Sequence, residues 1–514
     1  AFLERHLLKS SYALFEEIKK MGAINKVGFK DLGAGGVACA SVELAETSGY
    51  GSEVWLDKVH TGMDGLHSSV YLCSETQERF MWVCPPEMTK KIVDHYNIKY
   101  NLPEVSDGAM ASVIGKIRSD GQYIVHYEGE KIVDAKASQV TKGFLYERPF
   151  NSSDKKIEIS RPKELNNYND VLIDLLSHEN IASRRPVFDK YDKQVQGRVI
   201  SEAGQADSGI MAPFNSEDYP AEIRLTGIAL STDHNPMYGS IDPYWAGANA
   251  VVESMRNVAA VGATPHALTD CLCFGNPEKE NQMWEFVESV RGISDACSAI
   301  TLKGSTNHAT PIIAGNVSFY NESKNGSIPP SPIVSCLGKL DNVENAIGLS
   351  FKLSDSNLVM VGKRKSEMGG SAYYHMKNKY DSELPKPDFE EVKNQIYALT
   401  DCINERLLLS CHDISDGGLA VALSEMSFEN NIGFKVSYNE NLRSDEILFS
   451  ETGGFIMEIN DSNLETVINN FSKFNIELFT IGKTGGDSLY INDFLNVDLK
   501  RAKKAWESGL RLKL

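Results

Sequence analysis

The chain has 514 residues, 42% of them apolar and 24% charged, which suits a soluble globular protein of roughly three or four domains. Its 70 Asp and Glu against 52 Lys and Arg give a net charge of −18, which argues against nucleic-acid or anionic-membrane binding, because both reward clustered Lys and Arg. No apolar run approaches the ~18 residues of a membrane span, and nine cysteines without a CxxC pair fit neither a disulfide framework nor a zinc knuckle, so a reducing, cytoplasmic location is expected. Cys39, Cys73, Cys336 and Cys402 sit in apolar surroundings and are expected to pack as small hydrophobes.

In chain order, residues 2–20 read as an amphipathic helix rather than a secretory signal. Residues 27–37, VGFKDLGAGGV, follow as an apolar strand, an acidic strand end and a glycine turn opening a second helical pattern, ACASVELAETSGYG. Ser74-Glu75-Thr76 then leads into the strand RFMWV, and after a further helix a strand ends at Ile114–Lys116. The same order recurs late in the chain: LSCHDISDGGL at 409–419, AVALSEMSFENNIG, Ser450-Glu451-Thr452 before GFIMEI, and Ile481–Lys483. Asp413 lies 382 residues beyond Asp31, Ser450 376 beyond Ser74 and Ile481 367 beyond Ile114, so loop lengths alone drift and the domain is duplicated. The later copy has an earlier strand, 357–363, and a Gly369-Gly370 loop before its long helix near 388–406, whereas the earlier copy opens at the matching helix. The expectation is that the first strand and loop of that copy lie upstream of Ala1.

Between the copies, residues 146–170 are polar and turn-rich and read as a linker. The middle unit alternates strands (222–231, 310–320, 332–340) with helices at about 245–261 and 279–299, which argues for α/β layers. Ala246, Gly247, Ala250, Ala259 and Ala260 suit close packing of the first of these helices on a sheet. The expected divisions are 1–148, a linker at 149–170, then 171–350 and 351–514.

Asp31 and Asp413 end strands just before glycines that open a helix, where free N–H groups suit phosphate and a carboxylate suits Mg²⁺. A plainer reading makes the glycines a tight turn and the Asp a helix cap. Ser74-Glu75-Thr76-Gln77-Glu78-Arg79 places polar groups at a strand entrance, fit for a substrate's amide and ribose or simply an exposed strand start. The later copy reads Ser450-Glu451-Thr452-Gly453-Gly454, so the earlier copy is the better candidate for activity. Asp270 in LTDCLCFGNPEK and Gly315-Asn316-Val317-Ser318 in IIAGNVSFYNES both follow apolar strands and could open at one sheet edge, where α/β proteins bind ligands. They could equally be two turns. His412 and the run Asp233-His234-Asn235 are ambiguous in the same way. No Walker loop, kinase signature, GxGxxG fingerprint or glutaminase-type cysteine elbow is present.

The segments FKDLGAGGVACASVELAE, SETQERF, ALTDCLCFGNPEK, AGNVSFYNES and HDISDGGLAVALSEM together resemble the small-type synthase subunit family of phosphoribosylformylglycinamidine synthase, across essentially the whole chain. The DxSDGGL pattern at 413–419 is shared more widely, with aminoimidazole ribonucleotide synthetase and selenophosphate synthetase. The resemblance implies an α/β fold with mixed sheets and two A–B halves related by a pseudo-twofold axis, the first A unit lying upstream of residue 1. It implies ATP and Mg²⁺ as cofactors, formylglycinamide ribonucleotide as substrate, and ammonia from a glutaminase subunit with a small bridging subunit. By motif match Asp31 corresponds to a magnesium ligand, Glu75, Thr76 and Gln77 to substrate contacts, Asp270 and Gly315 to nucleotide contacts, Asn316 to a metal position and Ser318 to a substrate position. The family's Glu-Ser-Gln is Glu75-Thr76-Gln77 here, which keeps the hydroxyl. Its catalytic histidines and an ATP-contacting lysine map upstream of residue 1. Another synthetase of the superfamily, or a nucleotide-binding chain without turnover, stands as the alternative.

Overall fold

Leu7, Leu14 and Ile18 recur at helical spacing along the helix Phe2–Lys20, and all three are buried, against Met88, Ile92 and Tyr96. This helix opens the first of two units in the computed structural model, Ala1–Glu147 and Arg148–Leu514. The structure describes residues 2–514 except 64, 144–145 and 153–157. The first unit carries β1 (Gly28–Asp31), β2 (Gly51–Trp55), β3 (Phe80–Val83), β4 (Gly115–Arg118), β5 (Gln122–Tyr127) and β6 (Glu130–Lys136). They form two sheets: a β1–β3 pair, and a four-stranded sheet ordered β4-β2-β5-β6. The helix Gly36–Glu46 turns Val37, Ala40, Val42 and Ala45 inward.

In the second unit, β7 (Val199–Ser201), β8 (Gly209–Met211), β9 (Gly227–Asp233), β10 (Thr264–Cys273) and β11 (Ile312–Ser318) precede a small hairpin of β12 (Glu322–Ser323) and β13 (Gly326–Ser327), and then β14 (Ser331–Leu340). Apart from the hairpin they make a six-stranded sheet ordered β11-β10-β14-β9-β8-β7, with β10 and β11 parallel. The helices Pro243–Ala260 and Glu280–Ala299 pack on each other so closely that a Cβ at Gly247 would lie 2.2 Å from the Ser289 carbonyl oxygen, and one at Gly292 2.0 Å from that of Tyr244. Gly247 therefore serves this helix crossing rather than the expected helix-on-sheet contact. Val258, Ala259 and Ala260 join the sheet-side core with Cys336 and Leu340.

The remaining strands are β15 (Asn357–Val361), β16 (Ser410–Asp413), β17 (Phe434–Val436), β18 (Phe455–Ile459), β19 (Leu478–Thr484), β20 (Ser488–Ile491) and β21 (Leu495–Asp498), in one sheet ordered β16-β18-β15-β19-β17-β20-β21. The duplication is visible strand by strand. β16–β18 matches β1–β3, both antiparallel, with Asp413 opposite Phe455 as Asp31 is opposite Phe80. β19-β17-β20-β21 matches β4-β2-β5-β6, each run pairing antiparallel, parallel, antiparallel. β15 alone has no counterpart among the described residues of the first unit, and its place is where that unit's sheet divides.

Several local expectations change. The strand at Ile114–Lys116 begins there, at Gly115, rather than ending there. Cys336 and Cys402 are buried as expected and Cys39 is half-buried, but Cys73 is exposed, because it closes the short helix Ser68–Cys73 at the surface. Of the linker at 146–170, residues 153–157 lie outside the described residues. Its later part is tied into the second unit: Ser160 bridges to Tyr380, and Tyr168 is fully buried. The helix Asn169–Leu176 packs in one core with Phe351, Leu358 and Leu499, so it associates with the 351–514 region rather than with the β7–β14 sheet. Its sequence joins it to 171–350; its apolar face, Val171, Leu172, Leu175 and Leu176, is buried in that core.

Candidate functional site

In the first unit, β1 delivers Asp31 to its end as an exposed carboxylate, and the chain turns there with the Leu32 N–H donating to the Arg79 carbonyl at 3.1 Å. The helix Gly36–Glu46 starts from Gly35 at φ 74°, a conformation that favours glycine, and has no side-chain cap. Asp31 is therefore not the helix cap of the plainer reading. A Cβ at Gly36 would lie 2.2 Å from the Ser74 carbonyl oxygen, so glycine lets the Ser74–Arg79 loop close onto the helix start. Arg79 holds that loop, donating to the carbonyls of Ser74 at 2.7 Å and Thr76 at 2.8 Å, and Gln77 donates to the Glu75 carbonyl at 3.1 Å. Glu75, Thr76 and Gln77 are exposed, beside the strand register that sets Asp31 opposite Phe80.

In the second unit, Asp270 and Gly315 face each other across the parallel pair β10–β11. A Cβ on Gly315 would lie 2.6 Å from Asp270 Oδ1, so the carboxylate lies over bare backbone at the sheet edge. Burial raises the Asp270 pKa, opposed by the Asn316 backbone N–H. Asn316 is exposed on β11, and Ser318 ends that strand, its hydroxyl donating to Asn321 Oδ1 at 3.2 Å. Gly315-Asn316 thus sits inside a strand, which corrects its alternative reading as a turn. Asp270 lies on β10, and Gly315, Asn316 and Ser318 lie on the neighbouring strand β11.

A third group was legible only in part. β9 ends at Asp233, β16 ends at His412-Asp413, and the helix Pro243–Ala260 brings Glu253, Arg256 and Asn257 between them. Arg256 Nη2 lies 3.4 Å from Asp413 Oδ2, with both side chains at most 5% exposed, and Asn257 donates to Asp233 at 3.0 Å. Burial raises the pKa of Asp233, Glu253, Asp413, Asp416 and Glu451, and neighbouring carboxylates add to it. Glu451, the counterpart of Glu75, accepts from the Gly417 and Ala372 N–H groups, each at 2.8 Å, and from the Tyr238 hydroxyl at 2.9 Å. His412 sits between Asp207 at 2.6 Å and Glu425 at 3.1 Å; burial opposes its charge, but the two carboxylates win and raise its pKa. Gly453 stands where the first copy has Gln77, and a Cβ there would lie 2.0 Å from Arg256 Nη1. The guanidinium thus fills the space that a side chain would need. Glu253 and Arg256 had one signal, two ionisable residues in an otherwise small and apolar helix; Asp207 had none, because it reaches the cluster from a loop.

Comparison with known proteins defines the class first. The AIR synthase related protein C-terminal domain family matches residues 4–128 and 355–492, the two copies, and the corresponding N-terminal domain family matches 217–340. Phosphoribosylformylglycinamidine synthase subunit PurL of Methanothrix thermoacetophila is 40% identical over 521 residues, covering 99% of this chain and 66% of its own length. That of Methanocaldococcus jannaschii is 35% identical, covering 98% and 67%. The chain belongs to the PurL family of AIR synthase related proteins, and it spans about two thirds of the length of these curated relatives. In fold it is similar to T. maritima PurL complexed with FGAR (TM-score 0.61, 20% identity, 94% of this chain and 65% of that one) and to T. maritima PurL complexed with ATP (0.59, 19%, 94% and 66%). No helix among the described residues is long and apolar enough to cross a membrane.

Proposed function

We propose that the chain carries out the synthase reaction of its family: ATP-dependent conversion of formylglycinamide ribonucleotide to the amidine, with ammonia from a glutaminase partner held by a small bridging subunit, in the cytoplasm. The observation that carries this reading is the Asp270–Gly315 pair on the β10–β11 edge, a carboxylate over open backbone, in a chain that matches PurL relatives over 99% of its length. In this reading the γ-phosphoryl group of ATP passes to the substrate's amide oxygen and ADP leaves. Ammonia then adds to the amide carbon, and the oxygen departs with phosphate. The Gly315 backbone lets the nucleotide approach, Asp270 and Ser318 orient polar groups at that edge, and Glu75, Thr76 and Gln77 receive the substrate's amide and ribose. Asp31 and Asn316 offer oxygen donors only, which fits a hard cation such as Mg²⁺. Bound Mg²⁺ would neutralise charge on the transferring phosphoryl group.

Of the two copies, the first is assigned the substrate role. Its Gln77 position is open at the surface, whereas Arg256 occupies the corresponding space beside Gly453. The test is ADP release by the purified chain in ammonium salt, with and without formylglycinamide ribonucleotide. Release that depends on the ribonucleotide supports the reaction. ADP binding without such release favours the non-catalytic alternative.

A further inference from the structure

The second unit holds a cavity of about 320 Å³ whose walls come from distant parts of its chain. They are the segment that leaves β15 at Gly362, the Thr452-Gly453 pair before β18, and the stretch from Pro385 into the helix Phe389–Asn404. Asn249 and Arg256, on one face of the helix Pro243–Ala260, line it as well. Asn249 ties that helix to the Pro385 wall, donating to the Pro385 carbonyl at 2.8 Å.

Cations and carboxylates line the cavity in equal number, so their bonding decides the sign of a ligand. The carboxylates are largely satisfied. Glu367 accepts from the Thr452 hydroxyl at 2.7 Å and the Lys386 N–H at 3.2 Å. Asp388 accepts from the Glu390 and Glu391 N–H groups, each at 3.0 Å, and Glu391 from the Gln395 side chain at 2.9 Å. Arg256 is in the opposite state. Its side chain is 5% exposed and its guanidinium carries only donors, yet Nε has no hydrogen-bond partner among the described residues. Nη2 reaches Asp413 Oδ2 at 3.4 Å, beyond the usual N–H···O range of about 2.7–3.2 Å. A buried charged donor without an acceptor is costly, and native structures rarely keep one unless water or a ligand supplies it. Lys363, Lys365 and Lys386 are half-exposed and hold Glu477, Glu367 and Glu383 loosely, at 3.6, 3.9 and 3.2 Å, so they can turn to a ligand at little cost.

We propose that this cavity binds a small phosphomonoester, with the phosphoryl group on Arg256 and the lysines and the organic body against Pro387 and Phe479. The planar guanidinium fork matches phosphate oxygens, and several cations around it suit a dianion better than a single carboxylate. The volume exceeds what a bare ion needs and falls at the small end of metabolite pockets, about 300–1,000 Å³. Gly453 is part of the design: a Cβ there would lie 2.0 Å from Arg256 Nη1, so glycine lets the guanidinium reach the cavity wall.

The test is calorimetric titration of the full 514-residue chain with ribose 5-phosphate, inorganic phosphate and ribose as separate probes. The expected result is saturable binding of the sugar phosphate, weaker binding of inorganic phosphate and none of ribose. Arg256→Met is expected to weaken sugar-phosphate binding at least about tenfold, as is the double change Lys365→Ala with Lys386→Ala. The lysine pair is half-exposed, so that variant keeps the test decisive if the Arg256 variant fails to fold. Gln77→Ala, in the first unit, is expected to leave the affinity unchanged. Absence of sugar-phosphate binding overturns the proposal, as does binding that survives the lysine changes. Loss of binding in Gln77→Ala alone overturns it in favour of a site in the first unit, and equal affinity for inorganic phosphate and ribose 5-phosphate overturns the assignment of a monoester.

Discussion

Arg256 joins the helix Pro243–Ala260 to the acidic cluster of the second copy. It is the cation facing Asp413, it lowers the pKa that burial raises at Asp233 and Glu253, and it fills the space beside Gly453. Replacing a buried ion-pair partner leaves an uncompensated charge, so Arg256→Met is expected to destabilise the second unit by about 3–5 kcal/mol, read by denaturant unfolding. The acid cluster also sets a pH dependence. Burial pushes Glu451 up to about 8, raises Glu253 further above its usual range, and His412 is raised by Asp207 and Glu425 against its own burial. A raised folded pKa means that the native state holds protons the unfolded chain releases, so stability is present at low pH and lost as pH rises through the folded value. His178 and His234, lowered by burial, act oppositely only below about pH 6.5, their ordinary range. Between pH 8 and 6.5 the second unit should therefore gain about 1–3 kcal/mol, seen as a rising unfolding midpoint. A flat or falling midpoint would show that these groups are charged in the folded protein.

At the level of elements, the parallel pair β10–β11 matters because it holds a carboxylate over a glycine at an edge. Gly315→Ala puts a methyl group within 2.6 Å of Asp270 Oδ1 and must displace that carboxylate. The proposed nucleotide role predicts at least tenfold weaker ADP binding by calorimetry, with an unchanged circular dichroism spectrum. Unaltered affinity would remove β10–β11 from the nucleotide site. The helix Gly36–Glu46 shows the same use of glycine, since Gly36 lets the Ser74 carbonyl approach, just as Gly418 lets the Ser450 carbonyl approach to 2.6 Å of an added Cβ.

For the whole molecule, the contrast lies between one complete seven-stranded sheet and its divided counterpart. The second unit buries β15 and β18 entirely, while β3 and β4 stay partly open, so the first unit loses less apolar surface to the core on folding. Thermal unfolding is expected in two steps, with protection of amides in 1–147 lost first and that of β15 and β18 last. A single cooperative transition would contradict this order.

Much of this architecture was legible because duplication repeats chemistry at nearly constant spacing: the Asp-to-glycine turn, the Ser-Glu-Thr entrance and the helices 2–20 and 389–404 all needed only local pattern. Asp31, Glu75, Thr76 and Gln77 could be named for the same reason, since each belongs to a motif contiguous in the chain. What the tertiary structure decided concerns partners far apart in sequence. That Asp270 lies over Gly315, that Arg256 takes the place of a side chain at Gly453, and that Asp207 reaches His412 across 205 residues depend on sheet order and helix packing. The divided first sheet was foreshadowed by an unmatched strand, but its two edges and two core clusters became visible only once backbone hydrogen bonds were assigned strand to strand. Local patterns fix which groups are available, and long-range packing fixes which of them meet.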